Sequence, residues 1–260
     1  MKAVVLKVGG RLLDEATWPV VVAEVAGLRR RGRAVVIVHG GGPEITEVGA
    51  RFGLEARFVQ GRRVTDPATL AVAEMVLSGT INRRLVGGLQ RRGIPSLGLS
   101  GRDLDLIVAR RRPELGEVGE PVRVRREVLQ ALLEKGWVVV LSPICSDGRG
   151  RALNVNADEV AAAVAGALRA ECLFLLTDPP GVLNAAGRVL RRLTPKTFDR
   201  LVRAGVIQDG MIPKVEAALR ALARGVSRVL ITGPGRVSLV RQLEGRGGGT
   251  WVMEDAGDAG

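Results

Sequence analysis

Lys2-Ala3-Val4-Val5-Leu6-Lys7-Val8-Gly9-Gly10 is an apolar run with one interior lysine that stops at paired glycines. A run of this length with no polar alternation reads as a strand buried on both faces, from Lys2 to Val8. The glycines mark a tight turn at its carboxyl end. A second apolar run, Ala34 to Val38, ends in the same manner at His39-Gly40-Gly41-Gly42-Pro43. Between them Asp14 to Arg31 has helical spacing, with Val21, Val22, Val25 and Leu28 on one face. Strand, glycine turn, helix, strand, glycine turn is the opening of a parallel sheet covered by helices. Ligands of such sheets bind beyond the carboxyl ends of the strands, where this chain places its glycines.

The pattern continues. Glu44 to Phe52 reads as a short helix, and Pro67 to Arg92 as a long helical stretch with proline in its first turn. Further strands are expected at Ile94 to Leu99, Trp137 to Leu141, Cys172 to Leu176 and Arg228 to Ile231. Helices are expected at Val128 to Glu134, Ala157 to Arg169, Pro195 to Ala204 and Pro213 to Arg224. Asp105 to Arg126 has no helical period and reads as hairpins or irregular chain, and Cys145 to Asn154 as a hairpin. The segment from Gly245 to Gly260 holds a strand candidate, Thr250 to Met253, followed by an acidic tail. The fold class is therefore α/β: an open, mostly parallel sheet between helix layers. No linker separates independent domains, so residues 1–260 form one domain.

Composition excludes several functions. At 260 residues and 46% hydrophobic the chain is long and apolar enough for a large core. Its longest apolar run, Val160 to Leu168, falls well short of a bilayer span. Residues 1–8 are too short for a signal-peptide core, so a cytoplasmic protein is expected. Cys145 and Cys172 fit no metal spacing and are expected to be reduced. The single histidine, His39, argues against a multi-histidine metal site, and no metal ligands are expected among the side chains. The net charge of +12 suits anionic substrates. With 3% aromatics and no tyrosine, platforms for stacking nucleic acid bases are scarce.

Lysine is rare here. Of 39 basic residues only Lys2, Lys7, Lys135, Lys196 and Lys214 are lysines. Where arginine is the default cation, a lysine beside a glycine turn suggests a need for a compact point charge, as against phosphoryl oxygens. Lys7 leads the first turn, and Lys214 lies at the start of a helix marked by Asp209, Gly210 and Pro213. A cation there opposes the helix dipole, and a bound phosphate reverses that penalty. Asn154-Val155-Asn156-Ala157-Asp158 leads into the alanine-rich helix. One of its polar residues is a helix cap; an aspartate between two lysines would hold both ammoniums in place. Arg63 has the fork to clamp a substrate carboxylate, Asp66 reads as an N-cap, and His39 as a structural residue bonding its turn.

Taken together, Lys7 to Gly10, His39 to Pro43, Gly61 to Asp66, Gly98 to Gly101, Asn154 to Asp158, Thr177-Asp178 with Gly181-Val182, and Asp209 to Met211 with Pro213-Lys214 form an ordered set. That set resembles the acetylglutamate kinases of the amino acid kinase family. The resemblance implies ATP with Mg²⁺ held mainly by the nucleotide, and N-acetyl-L-glutamate as phosphoryl acceptor. It implies an acyl amino acid lobe over residues 1–170 and a nucleotide lobe over residues 171–260. Lys7 and Lys214 would stabilise the transferring group and Asp158 would organise them. Gly41, Gly42, Arg63 and Asn154 would hold the substrate. Gly9, Gly10, Thr177, Asp178, Gly181, Val182 and Met211 would line the nucleotide site.

Three features depart from the common pattern. Arg62 stands where an apolar residue is usual, Pro179-Pro180 stiffens a turn, and no helix precedes the first strand. Arginine-inhibited members carry such a helix, so a homodimer without strong arginine feedback is expected. The rival readings are a kinase for aminoadipate or glutamate on an acidic carrier protein, which the positive charge would suit, and a non-catalytic amino acid sensor. His39 to Pro43 and Asn154 to Asp158 match the acetylglutamate form better, and a sensor has no use for Lys7, Asp158 and Lys214 together.

Overall fold

The computed structural model describes residues 2–59, 61–235 and 237–255. β1 (Ala3–Val8), α1 (Trp18–Arg30), β2 (Ala34–His39) and α2 (Gly42–Arg51) come first. β3 (Phe58–Val59) and β4 (Arg62–Arg63) form a small hairpin apart from the main sheet. α3 (Pro67–Glu74) and α4 (Asn82–Gln90) are joined through a π-helical stretch, Met75–Ile81. β5 (Ser96–Gly101), β6 (Ile107–Arg111), β7 (Val118–Val124), α5 (Arg126–Glu134), β8 (Val138–Ser146) and β9 (Ala152–Val155) follow. The rest comprises α6 (Ala157–Leu168), β10 (Cys172–Leu176), β11 (Arg192–Leu193), α7 (Pro195–Arg203), α8 (Met211–Ala223), β12 (Val229–Thr232), α9 (Leu239–Leu243) and β13 (Thr250–Val252).

The sheet runs β11-β13-β12-β10-β1-β2-β8-β6-β7-β9, with β5 also on β8. Its centre is parallel: β12, β10, β1, β2, β8 and β5 all point the same way. Antiparallel pairs lie toward the edges, β12 with β13, β6 with β7 and β8 with β9. Alternation along β1 sorts its side chains between two cores. Val4, Leu6 and Val8 meet Val21, Val25 and Leu28 of α1. Ala3 and Val5 join the core that holds Val160 and Val164 of α6 and Val215 and Ala218 of α8. Helices thus cover both faces, as the continuous apolar strands predict.

Several boundaries differ from expectation. α1 begins at Trp18, not Asp14, because Asp14 accepts from the Thr17 N–H (2.6 Å) in a preceding turn and Pro19 then fixes the helix start. α2 and α8 each start two residues early, at Gly42 and Met211, with Pro43 and Pro213 inside their first turns. β8 runs past Pro143 to Ser146. Its register against β5 jumps from Ser142 to Cys145, which leaves the proline opposite no ladder position. The stretch 105–126 is mostly the β6–β7 pair, with one bulge between Val108 and Ala109. The expected acidic tail runs into residues 256–260, which lie outside the described residues.

Candidate active site

Lys7 occupies the β1 position that follows Ala3 and Val5 on the α6–α8 face. On α6, Asp158 lies on the stripe it shares with Ala161, Ala162 and Ala165; on α8, Lys214 shares one with Ala217, Ala218 and Ala221. The small alanines let the two helices pack together, and α6 also lies on β1. Three residues from positions 7, 158 and 214 therefore meet. Lys7 Nζ is 3.2 Å from Asp158 Oδ1. Lys214 Nζ donates to both carboxylate oxygens, at 3.0 and 3.2 Å. All three residues are buried, at 8%, 6% and 6% exposure for Lys7, Asp158 and Lys214.

The electrostatics follow from that burial. Desolvation lowers Lys7 to about 8, against the attraction of Asp158 and with the repulsion of Lys214. Burial alone would raise Asp158, but the Lys214 and Lys7 ammoniums outweigh it and hold the carboxyl near 2. The cluster is one anion between two cations, so it carries an excess positive charge at neutral pH.

The glycine turns meet beside it. A Cβ on Gly10 would stand 3.2 Å from the Gly41 nitrogen and 3.0 Å from Pro43, and one on Gly40 would stand 3.3 Å from the Gly10 nitrogen. A Cβ on Gly41 would collide with Ile81 and Leu77. Only glycine permits this approach of two turns. His39 fixes the second turn: its Nδ1 is 2.9 Å from the Gly40 carbonyl and must donate, leaving Nε2 to accept from Asn82 (3.3 Å). Burial lowers His39 to about 4, so it is neutral and fully engaged, the structural role its sequence context suggested.

A cavity of about 160 Å³ opens next to the turns, with Gly41, Gly42, Arg63 and Asn154 in its wall. The wall also includes Ala157 and Glu159, the neighbours of Asp158. Arg63 is buried, donates to the Gly42 carbonyl (2.9 Å) and Thr46 (2.6 Å), and stacks over Phe58 at 4.7 Å. Asn154 donates to Thr65 (3.1 Å). Asn156 caps α6 by accepting from the Asp158 and Glu159 N–H groups, which leaves Asp158 free for the lysines. Asp66 caps α3, as expected.

The residues expected at the nucleotide lie at the ends of β1, β10 and α8. Gly9 faces the Leu176 carbonyl at the end of β10, where Thr177 bonds Thr232 and Asp178 faces Arg11 at 3.7 Å. Met211 is the first residue of α8. Gly181 packs closely on Thr250, and the buried Val182 gives its N–H to Thr250 Oγ1 (2.8 Å), so neither lines the 160 Å³ cavity. Sequence reasoning missed Glu159, a buried carboxylate in the first turn of α6 that accepts from Arg62. It also missed Asn82, a buried asparagine that donates to the Val140 carbonyl (3.0 Å). Among the described residues no group of three or more His, Cys, Asp or Glu side chains is placed to hold a metal ion, and no helix is long and apolar enough to cross a membrane.

Residues 2–233 match the amino acid kinase family, and the chain belongs to that family. It is 44% identical over 254 residues to the acetylglutamate kinase of Methanopyrus kandleri, a match covering 94% of this chain and 98% of the relative. Among solved structures, smu.665 of Streptococcus mutans superposes with a TM-score of 0.85 at 27% identity, covering 96% of this chain and 98% of that one. N-acetylglutamate synthase of Neisseria gonorrhoeae, solved with coenzyme A and N-acetyl-glutamate, superposes with a TM-score of 0.86 at 25% identity. That match covers 98% of this chain and 60% of the synthase.

Proposed function

We propose that the protein transfers the γ-phosphoryl group of ATP to the side-chain carboxylate of N-acetyl-L-glutamate, giving N-acetyl-L-glutamyl 5-phosphate for arginine biosynthesis. The observation that carries this reading is Asp158 holding two buried ammoniums beside a double glycine turn and an arginine-lined cavity. The 44% identity to the Methanopyrus kandleri enzyme over nearly the full length of both chains supports the choice of substrate.

The chemistry needs no general base, because the attacking carboxylate is ionised at neutral pH. A carboxylate oxygen bonds to the γ-phosphorus while the bond to the β–γ bridging oxygen breaks and ADP leaves with that electron pair. Lys7 and Lys214 are assigned to the oxygens that gain charge in that passage, and Asp158 keeps the two ammoniums apart and aimed. The N–H groups of Gly10, Gly41 and Gly42 add fixed dipoles. Arg63 and Asn154 hold the acyl amino acid so that its side chain points at the lysines. Thr177, Asp178 and Met211 are assigned to the nucleotide, placing it on the 171–260 side of the sheet. Asp158 is committed to the lysines, so the residues present suit Mg²⁺ carried on the nucleotide phosphates, where it would neutralise charge.

A hydroxylamine trap tests the proposal. Purified protein with Mg-ATP is expected to yield hydroxamate from N-acetyl-L-glutamate and not from free glutamate or N-acetylaminoadipate. Hydroxamate from none of the three would overturn the assignment and turn attention to carrier-bound acceptors.

A further inference from the structure

The β3–β4 hairpin forms one wall of the cavity through Phe58, Gly61, Arg62 and Arg63, yet little apolar packing holds it down. Phe58 and Val59 are 56% and 49% exposed, and the hairpin pairs with no strand of the main sheet. Among the described residues its polar tethers are its two arginines. Arg63 reaches back to α2. Arg62 crosses to α6, where Nε and Nη2 both donate to Glu159 Oε1 at 3.2 and 2.6 Å. The Arg62 and Glu159 side chains are only 13% and 5% exposed, so solvent screens this pair far less than a surface pair. Between the arginines and β3, the tip turns at Gly61, against Pro213, the residue before Lys214.

Glu159 does more than pair once. Arg112 and Arg220 approach the same Oε1 at 3.9 and 3.7 Å. Three guanidiniums from the hairpin, the β6–β7 connection and α8 thus converge on one carboxylate, next in sequence to Asp158. Arg112 also pairs with Glu120 at 3.3 Å and Arg220 with Glu216 at 3.8 Å, so among the described residues Arg62 is the guanidinium that loses its counter-charge when Glu159 is removed.

We propose that the Arg62–Glu159 pair latches the hairpin over the cavity and thereby sets the affinity for the acyl amino acid, with Glu159 acting through Arg62 as a positioning residue. The proposal rests on the substrate assignment above. It predicts an uneven cycle. Glu159→Gln leaves the Arg62 guanidinium without its counter-charge and weakens N-acetyl-L-glutamate binding about tenfold, whereas Arg62→Leu loses only the tether and weakens it about threefold. Removing both restores charge balance, so the double variant binds better than Glu159→Gln alone.

Calorimetric titration of N-acetyl-L-glutamate into wild type, both single variants and the double variant tests this, alongside kcat and KM for both substrates. The expected result is the uneven cycle, with kcat at saturation within about twofold of wild type and KM for Mg-ATP unchanged. Arg62→Leu alters a partly exposed hairpin residue and keeps the test valid if Glu159→Gln does not fold. Wild-type affinity in both single variants, a double variant weaker than either single, or an equal change in KM for Mg-ATP would overturn the latch. A wild-type protein that neither binds nor phosphorylates N-acetyl-L-glutamate would instead overturn the substrate assignment.

Discussion

Two clusters at opposite ends of the central strands share one electrostatic plan and differ in everything else. Beyond the carboxyl ends, Asp158 lies between Lys7 and Lys214. Before the amino ends, Glu171 lies between Arg33, bonded at 3.0 and 3.2 Å, and Arg228 at 3.3 Å. Each is one carboxylate with two cations. Arg33 grips Glu171 with a two-pronged fork that satisfies both partners, and the pair is partly open to solvent. The lysine cluster is buried, and an ammonium has three protons, so Lys7 and Lys214 keep donors for a further anion. In a chain that uses arginine nearly everywhere, the two buried lysines stand where a guanidinium fork would close the site on itself. The arginine cluster is a clasp; the lysine cluster is a clasp with positive charge left over.

The sharpest way to break this contrast is to remove each carboxylate in turn. Asp158→Asn leaves two buried ammoniums without a counter-charge, so turnover should fall about a thousandfold and stability by about 3–5 kcal/mol. Hydroxamate assay and urea unfolding read both. An Asp158→Asn protein with more than a tenth of wild-type turnover would dissolve the distinction.

The pH dependence separates the clusters next. Lys7 in the free protein loses its proton near pH 8, against 10.5 when unfolded. Activity as kcat/KM should therefore fall about tenfold per pH unit above 8. Stability moves the other way. Above pH 8 the unfolded chain holds a proton that the native chain has released, so this group raises stability by up to about 1.4 kcal/mol per unit. The window closes near pH 9, where the thiols of Cys145 and Cys172, held up by burial, start to favour the unfolded chain. Urea midpoints of wild type and Lys7→Met from pH 7.5 to 9 should converge as pH rises. A constant gap would show that Lys7 keeps its proton.

The smallest effect belongs to the arginine clasp. Glu171→Gln should cost about 1 kcal/mol and leave kcat unchanged, since it lies before the strands. Its carboxyl is held below the usual range, first by the Arg33 hydrogen bond, so its stabilisation is present above pH 4.5 and fades as pH falls. Thermal melts at pH 7 and pH 3 should show the variant and wild type drawing together at the lower pH.

The two ends of the sheet also differ in how far sequence alone exposed them. β1, β2 and their glycine turns were legible because continuous apolar runs and paired glycines are local signals. Lys7 and Lys214 stood out by residue type, and Asp158 by its place at a helix start. That the three meet depends on strand alternation in β1 and on alanine stripes in α6 and α8, both readable once the register is known. Glu159 was not legible, since its partners come from positions 62, 112 and 220 and share no local pattern. The Glu171 clasp was hidden for the same reason. The strand expected to end at Leu141 continues to Ser146, because β8 skips a ladder position at Pro143.

The central claim is that Lys7 acts as an ammonium against a phosphoryl group and not simply as a positive charge. Lys7→Arg keeps the charge and changes only its shape, so its rate of hydroxamate formation from N-acetyl-L-glutamate and Mg-ATP is the direct test. The account predicts a loss of about a hundredfold in kcat with the melting temperature little changed. Turnover within about threefold of wild type would contradict it.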